Sequence, residues 1–98
     1  MHEQFWFDVG RYERHRVEFF FDRMWGKVRI SVDGHPVDTK SIMFSVRLTE
    51  RFRFLVGHRE RHDVLIEKKR KVLLSGLRPS TYQVFVDGVL FLTLEGQA

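Results

Sequence analysis

FWFDVGRYERHRV, Phe5 to Val17, is echoed by FRFLVGHRERHDV, Phe52 to Val64, with eight of thirteen positions identical at an offset of 47. Further on, KVRISVDG, Lys27 to Gly34, falls on TYQVFVDG, Thr81 to Gly88, at an offset of 54. The second copy therefore carries seven extra residues between its matching segments, and insertions of that kind go into loops. The echoed phrase reads as the punctuation of a duplicated fold. Each copy is a strand, a turn opened by Gly10 or Gly57, a second strand, a loop, a third strand, and an Asp-Gly turn into a fourth. The two copies span about 5–50 and 52–96 of a single domain, 1–98.

Apolar residues recur at every second position, the period of a strand with one buried face. Phe5, Phe7 and Val9 alternate with Trp6 and Asp8; Val17, Phe19 and Phe21 alternate with Glu18 and Asp22; Val28, Ile30 and Val32 alternate with Arg29 and Ser31. Phe44, Val46 and Leu48 continue the pattern, and the second copy matches with Phe52, Phe54, Val56, Val64, Ile66, Tyr82, Val84 and Val86. No stretch keeps helical spacing for ten residues without a breaker. Asp33-Gly34 and Asp87-Gly88 are tight-hairpin signals, because such turns need positive φ. The expected fold is all-β, a sandwich of two four-stranded antiparallel sheets built from a duplicated β-meander.

Ninety-eight residues are enough for one core that removes roughly two-thirds of the unfolded chain's surface from water. Cysteine is absent, which excludes disulfides, zinc-thiolate sites and a cysteine nucleophile, and suits a reducing cytoplasm. The longest apolar runs fall far short of a membrane helix, and MHEQFWFD lacks the basic start and apolar stretch of a signal peptide. The chain reads as soluble and cytoplasmic, without a membrane partner. Its formal charge of +4 and pI near 9.9 favour anionic partners only weakly, since the twelve arginines are scattered among acids.

Glu13-Arg14-His15 and Glu60-Arg61-His62 are the candidate chemical clusters. Each copy offers one His and one neighbouring carboxylate, short of the three or four converging ligands a zinc site needs, so no metal and no cofactor is expected. Read structurally, each His caps an end of the core by bonding backbone near the turn, while Arg14 and Arg61 form ion pairs on the outside. There is no Gly-x-Ser-x-Gly elbow and no glycine-rich phosphate loop, and the reading is non-enzymatic. The basic run Lys68 to Lys71 reads as a solvated hairpin end.

The stretch VDGHPVDTKSIMFSVRLTERFRFLVG, Val32 to Gly57, runs from an Asp-Gly turn through Met43-Phe44 to the strand end Val56-Gly57. GLRPSTYQVFVDG, Gly76 to Gly88, adds a glycine, a tyrosine and a second Asp-Gly turn. This pattern, over about two-thirds of the chain, resembles the Fas apoptosis inhibitory molecule (FAIM) family. The resemblance lies in turn and core residues, so it bears on fold; it implies roles in regulating cell death and in protein quality control.

Two surfaces emerge as candidates. Arg14, Arg16 and Arg29 are expected on an outer face with Trp6 and Phe20, a pattern suited to single-stranded nucleic acid, though Glu18 and Asp22 share the face. In the second copy, outward positions turn apolar: Asp8 becomes Leu55, Glu18 becomes Leu65 and Ser31 becomes Phe85. In VLFLTLEG, Val89 and Phe91 are expected inward and Leu90, Leu92 and Leu94 outward. The expected interface is Leu55, Leu65, Phe85, Leu90 and Leu92, covered by a second copy or another protein unless the 68–80 segment folds over it. The functional expectation is a protein-interaction module, with weak single-stranded nucleic-acid binding as the alternative.

Overall fold

The computed structural model describes residues 2–22, 27–37, 40–42, 49–69, 72–73, 76–77 and 81–95. Their strands, in chain order, are β1 (His2–Val9), β2 (His15–Asp22), β3 (Lys27–Val32), β4 (His35–Pro36), β5 (Lys40–Ile42), β6 (Thr49–Val56), β7 (His62–Lys69), β8 (Val72–Leu73), β9 (Gly76–Leu77), β10 (Thr81–Val86) and β11 (Val89–Glu95). One sheet has the order β1-β2-β3-β4 and the other β11-β10-β7-β6-β5, with β8 and β9 a small hairpin between β7 and β10. All pairings are antiparallel. The two-sheet sandwich expected from period-two patterning is the fold, with the short β5 lengthening the second sheet beyond the four strands of its copy.

The inward residues meet in one core. Phe7, Val9, Val17, Phe19, Phe21 and Ile30 come from the first sheet; Phe52, Phe54, Val56, Val64, Ile66, Tyr82 and Val84 come from the second. Phe5, Val28, Val32 and Val86 pack against them, so every described inward residue expected of β1, β2, β3, β6, β7 and β10 lies in or on the core. Aromatic rings bridge the sheets: Phe19 lies 4.9 Å from Phe5 in its own sheet, 5.7 Å from Phe52 and 5.0 Å from Tyr82 opposite. Such pairs add about 0.5–1.5 kcal/mol each beyond the area they bury. Asp33 and Asp87 hold φ of 52° and 53°, the backbone that the tight Asp-Gly hairpins require.

Two departures follow from local geometry. In the β10–β11 hairpin Phe85 pairs with Leu90 and Val84 with Leu92, so Phe91 bulges out of the ladder. An extra residue reverses the alternation beyond it. Leu92 and Leu94 therefore pack on the core, and Leu92 leaves the outer face where the strict period put it. Val89 is 68% exposed, and Phe91, half exposed, reaches only the rim of the core, 6.0 Å from the Phe7 ring. The second departure is Lys68. It is fully buried, with its ammonium 2.8 Å from the centroid of the Phe21 ring, and so is no part of a solvated basic run. Arg70 and Lys71 lie outside the described residues, as do Met43-Phe44, Val46 and Leu48.

Candidate functional site: interlocked turns and an apolar sheet face

The phrases VGRYERH and VGHRERH form the two turns β1–β2 and β6–β7, and they hold each other. Gly10 and Gly57 open them at φ of 107° and 102°. Behind each, the chain doubles back so closely that an added Cβ would lie 1.9 Å from the carbonyl oxygen of Glu13 or Glu60. Only glycine fits both the backbone and the space. The folded-back turn aims consecutive N–H groups outward as an anion-binding concavity. The occupant is the glutamate of the other copy. Glu60 accepts from the N–H groups of Arg11 and Tyr12, both at 2.7 Å, and of Glu13 at 3.3 Å. Glu13 accepts from those of His58 at 2.6 Å and Arg59 at 2.9 Å.

Each glutamate also binds the histidine two residues on. His15 Nε2 lies 2.6 Å from Glu13 and its Nδ1 2.5 Å from Asp33 of the β3–β4 turn. His62 Nε2 contacts Glu60, and its Nδ1 lies 2.6 Å from Asp87 of the β10–β11 turn. The second oxygen of each aspartate accepts a backbone N–H, from Arg16 or Asp63, at 2.8 Å. Each histidine thus ties one turn to the next within its copy, and each glutamate ties the copies together.

These contacts set the charge states. The Arg59 N–H, then His15 and the His58 N–H, hold the Glu13 carboxyl down at about 2. His62 and the N–H groups of Arg11 and Tyr12 hold Glu60 at about 2. Asp33 followed by Glu13 raises His15 above its ordinary value, and Glu60 followed by Asp87 does the same for His62. An imidazolium donating both N–H groups to carboxylates has no lone pair with which to take a substrate's proton or ligate a metal. The carboxylates grip opposite edges of each ring and do not converge on a point, and among the described residues no group of His, Asp and Glu is arranged to hold a metal ion. The two histidines lie together at one end of the sandwich and bond carboxylates where backbone partners were expected.

On the outer face of the first sheet Arg16 lies 4.1 Å over the Trp6 ring and 3.6 Å from Asp8, and Arg29 lies 4.9 Å over the Phe20 ring. Arg14 departs from the expectation: it precedes β2, exposed in the turn, so strand alternation does not place it with Arg16 and Arg29. Among the described residues Arg14 and Arg61 form none of the outer ion pairs, which belong to Arg16–Asp8, Arg51–Glu67, Arg53–Asp63 and Lys69–Glu67.

On the outer face of the second sheet, Arg53, Leu65, Phe85 and Leu90 lie side by side across β6, β7, β10 and β11. Leu65 and Phe85 are half-buried in a shallow pocket of about 220 Å³ walled by Arg53, Asp63 and Glu67. Leu55 is 66% exposed at the far end of β6, and Leu90 is 50% exposed on the edge strand. Four of the five expected interface residues share this face. How the 68–80 segment lies against them falls largely outside the described residues. None of the described residues forms a helix long and apolar enough to cross a membrane.

No family model matches the chain, and no curated protein or solved structure matches it either.

Proposed function

We propose that this domain works by contact, as a non-enzymatic interaction module, and that its partner is a second copy of itself joined through β11 and the apolar face behind it. The observation that carries this reading is the run Val89, Leu90 and Phe91, each at least half exposed on an edge strand. Edge strands present unpaired ladder groups, and natural proteins blunt them with charge or proline. β11 has no charge before Glu95 and no proline. From it, Leu90, Phe85 and Leu65 make a continuous apolar strip into the sheet. A chain with a formal charge of +4 repels its own copies over most of its surface, and this neutral strand is where two can meet. Kinship with the FAIM family belongs to the same proposal, supported by Val56-Gly57 at its strand end and by the Asp87-Gly88 hairpin.

Sedimentation velocity of the pure protein tests it. Wild type should be a dimer, and Leu90→Lys should weaken association by about tenfold to a hundredfold, the worth of one buried leucine, while the strand content stays unchanged. A wild type that stays monomeric at the highest attainable concentration sinks the proposal.

The alternative, weak single-stranded nucleic-acid binding, draws support from Arg16 on Trp6 and Arg29 on Phe20. Asp8 already occupies Arg16, and Glu18 and Asp22 alternate onto the same face, which ranks it second.

A further inference from the structure

Eight positions are identical between FWFDVGRYERHRV and FRFLVGHRERHDV, and seven of them have a task inside the fold. Phe5, Phe7, Val9 and Val17, with their repeats Phe52, Phe54, Val56 and Val64, belong to the core or pack on it. Gly10 and Gly57 open the turns, Glu13 and Glu60 fill them, and His15 and His62 bridge to Asp33 and Asp87. The eighth is Arg14, repeated as Arg61. Both are exposed, and among the described residues neither side chain makes a hydrogen bond or an ion pair. The copies let Asp8 become Leu55 and Glu18 become Leu65, yet they carry this arginine twice. Its task points outside the chain.

The surrounding charges show why these arginines stay open. Arginines on the strands are matched: Arg16 with Asp8, Arg51 with Glu67, Arg53 with Asp63, and Arg29 with the face of Phe20. At the turns the acids are already engaged. Glu13 and Glu60 face turn N–H groups and an imidazolium, and Asp33 and Asp87 face the same imidazoliums and a backbone N–H. Arg11 and Arg59 stand on the same two turns, exposed and outside every ion pair of the described residues. Arg11 lies 5.5 Å from the centroid of the Tyr12 ring, which is 87% exposed. Because the turns interlock, Arg11, Arg14, Arg59 and Arg61 gather at one end of the sandwich.

We propose that this end docks an acidic segment of another protein, with Arg14 and Arg61 as paired anchors and Arg11 and Arg59 beside them. Guanidinium forks match carboxylates through two parallel bonds, and arginine clusters read acidic motifs in other folds. Two other polyanions fit less well. A nucleic-acid strand is held by stacking successive bases, and Tyr12 is the single Phe, Tyr or Trp of residues 10–14 and 57–61. A membrane surface takes up inserted apolar side chains, and these turns offer none beyond Tyr12.

Fluorescence anisotropy of a labelled hexaglutamate peptide, titrated with the full chain, should show saturable binding, and hexaglutamine should not bind. Arg14→Gln and Arg61→Gln should each weaken binding about threefold and together about tenfold. Replacing Arg16 and Arg29 by Gln removes the same charge from the sheet face and should change it by about twofold or less. Thermal stability should not fall in either turn variant. Destabilisation by Arg14→Gln or Arg61→Gln would return the arginine to a role inside the fold and overturn the proposal. So would absence of saturable binding, or an equal loss in the sheet-face variant. Tighter binding of a single-stranded oligonucleotide or of phosphatidylserine vesicles through Arg14 and Arg61 would overturn it by naming a different partner. The site lies off the β11 strip, so loss of the dimer proposal leaves this one standing.

Discussion

The turns after β1 and β6 carry the same groups in the same geometry, while the two outer faces beside them have parted company. Glu13 and Glu60 each fill the other's turn, and His15 and His62 each bridge a glutamate to a hairpin aspartate. Yet Trp6, Glu18 and Ser31, paired across the first sheet, stand where the second sheet has Arg53, Leu65 and Phe85. The turns could not diverge singly, because each glutamate's partners are in the other copy: a change on one side takes the acceptor from the turn N–H groups on the other. The outer faces answer to no such reciprocity. What differs there reports on what each face meets, which is why the apolar one is proposed as an interface.

The sharpest way to break the comparison is at the glycines. Gly10→Ala and Gly57→Ala each force a Cβ to within 1.9 Å of a backbone oxygen at φ above 100°. Each should cost about 3 kcal/mol or more by chemical denaturation, or prevent folding. The two costs should be close. If one substitution is mild, the turns are not equivalent supports and the reciprocity is wrong.

Smaller, and informative in sign, is the response to pH. The carboxyls of Glu13 and Glu60 fall from 4.5 to about 2 on folding, so their contribution is complete above 4.5 and lost as pH drops toward 2. His15 and His62 rise above 6.5, so theirs is complete below 6.5 and lost as pH climbs through the folded-state value. Thermal stability should therefore peak between 4.5 and 6.5 and fall on both sides. Replacing both histidines by glutamine should flatten the alkaline limb relative to wild type. An alkaline limb unchanged in that variant would mean the histidines are not clamped as charged groups.

The fold was legible because burial acts on every second residue and the copies repeat it; even the Asp-Gly hairpins are local signals. The site was harder. Glu13 was visible as a motif, but its partners, His58 and Arg59, come together with it only when the two copies pack. Lys68 was hidden by its neighbours in the run Lys68 to Lys71, although the offset of 47 sets it on Phe21 and the alternation Val64, Ile66 already pointed it inward. Glu3, buried on β1, gave a weaker sign: it precedes Phe5 and Phe7 by the same step of two. The bulge at Phe91 leaves no mark in composition, which is why strict alternation puts Leu92 on the wrong face.

The smallest effect expected is on nucleic acid, and it bears on the first sheet alone. Arg16 and Arg29 lie on aromatic rings, and a phosphate would have to compete with Asp8 for Arg16 and pass Glu18 and Asp22. Binding to a single-stranded oligonucleotide should be weak and steeply salt-dependent, because whatever attraction exists is counterion release. Removing Arg16 and Arg29 together should lower the slope of log affinity against log salt by about one per lost phosphate contact, without altering any preference for sequence. Affinity that persists in high salt, or that falls when Trp6→Ala removes the half-exposed ring while both arginines remain, would show bases stacking on this face. That result would reverse the ranking: the charged aromatic face, and not the apolar one, would be the surface on which the domain acts.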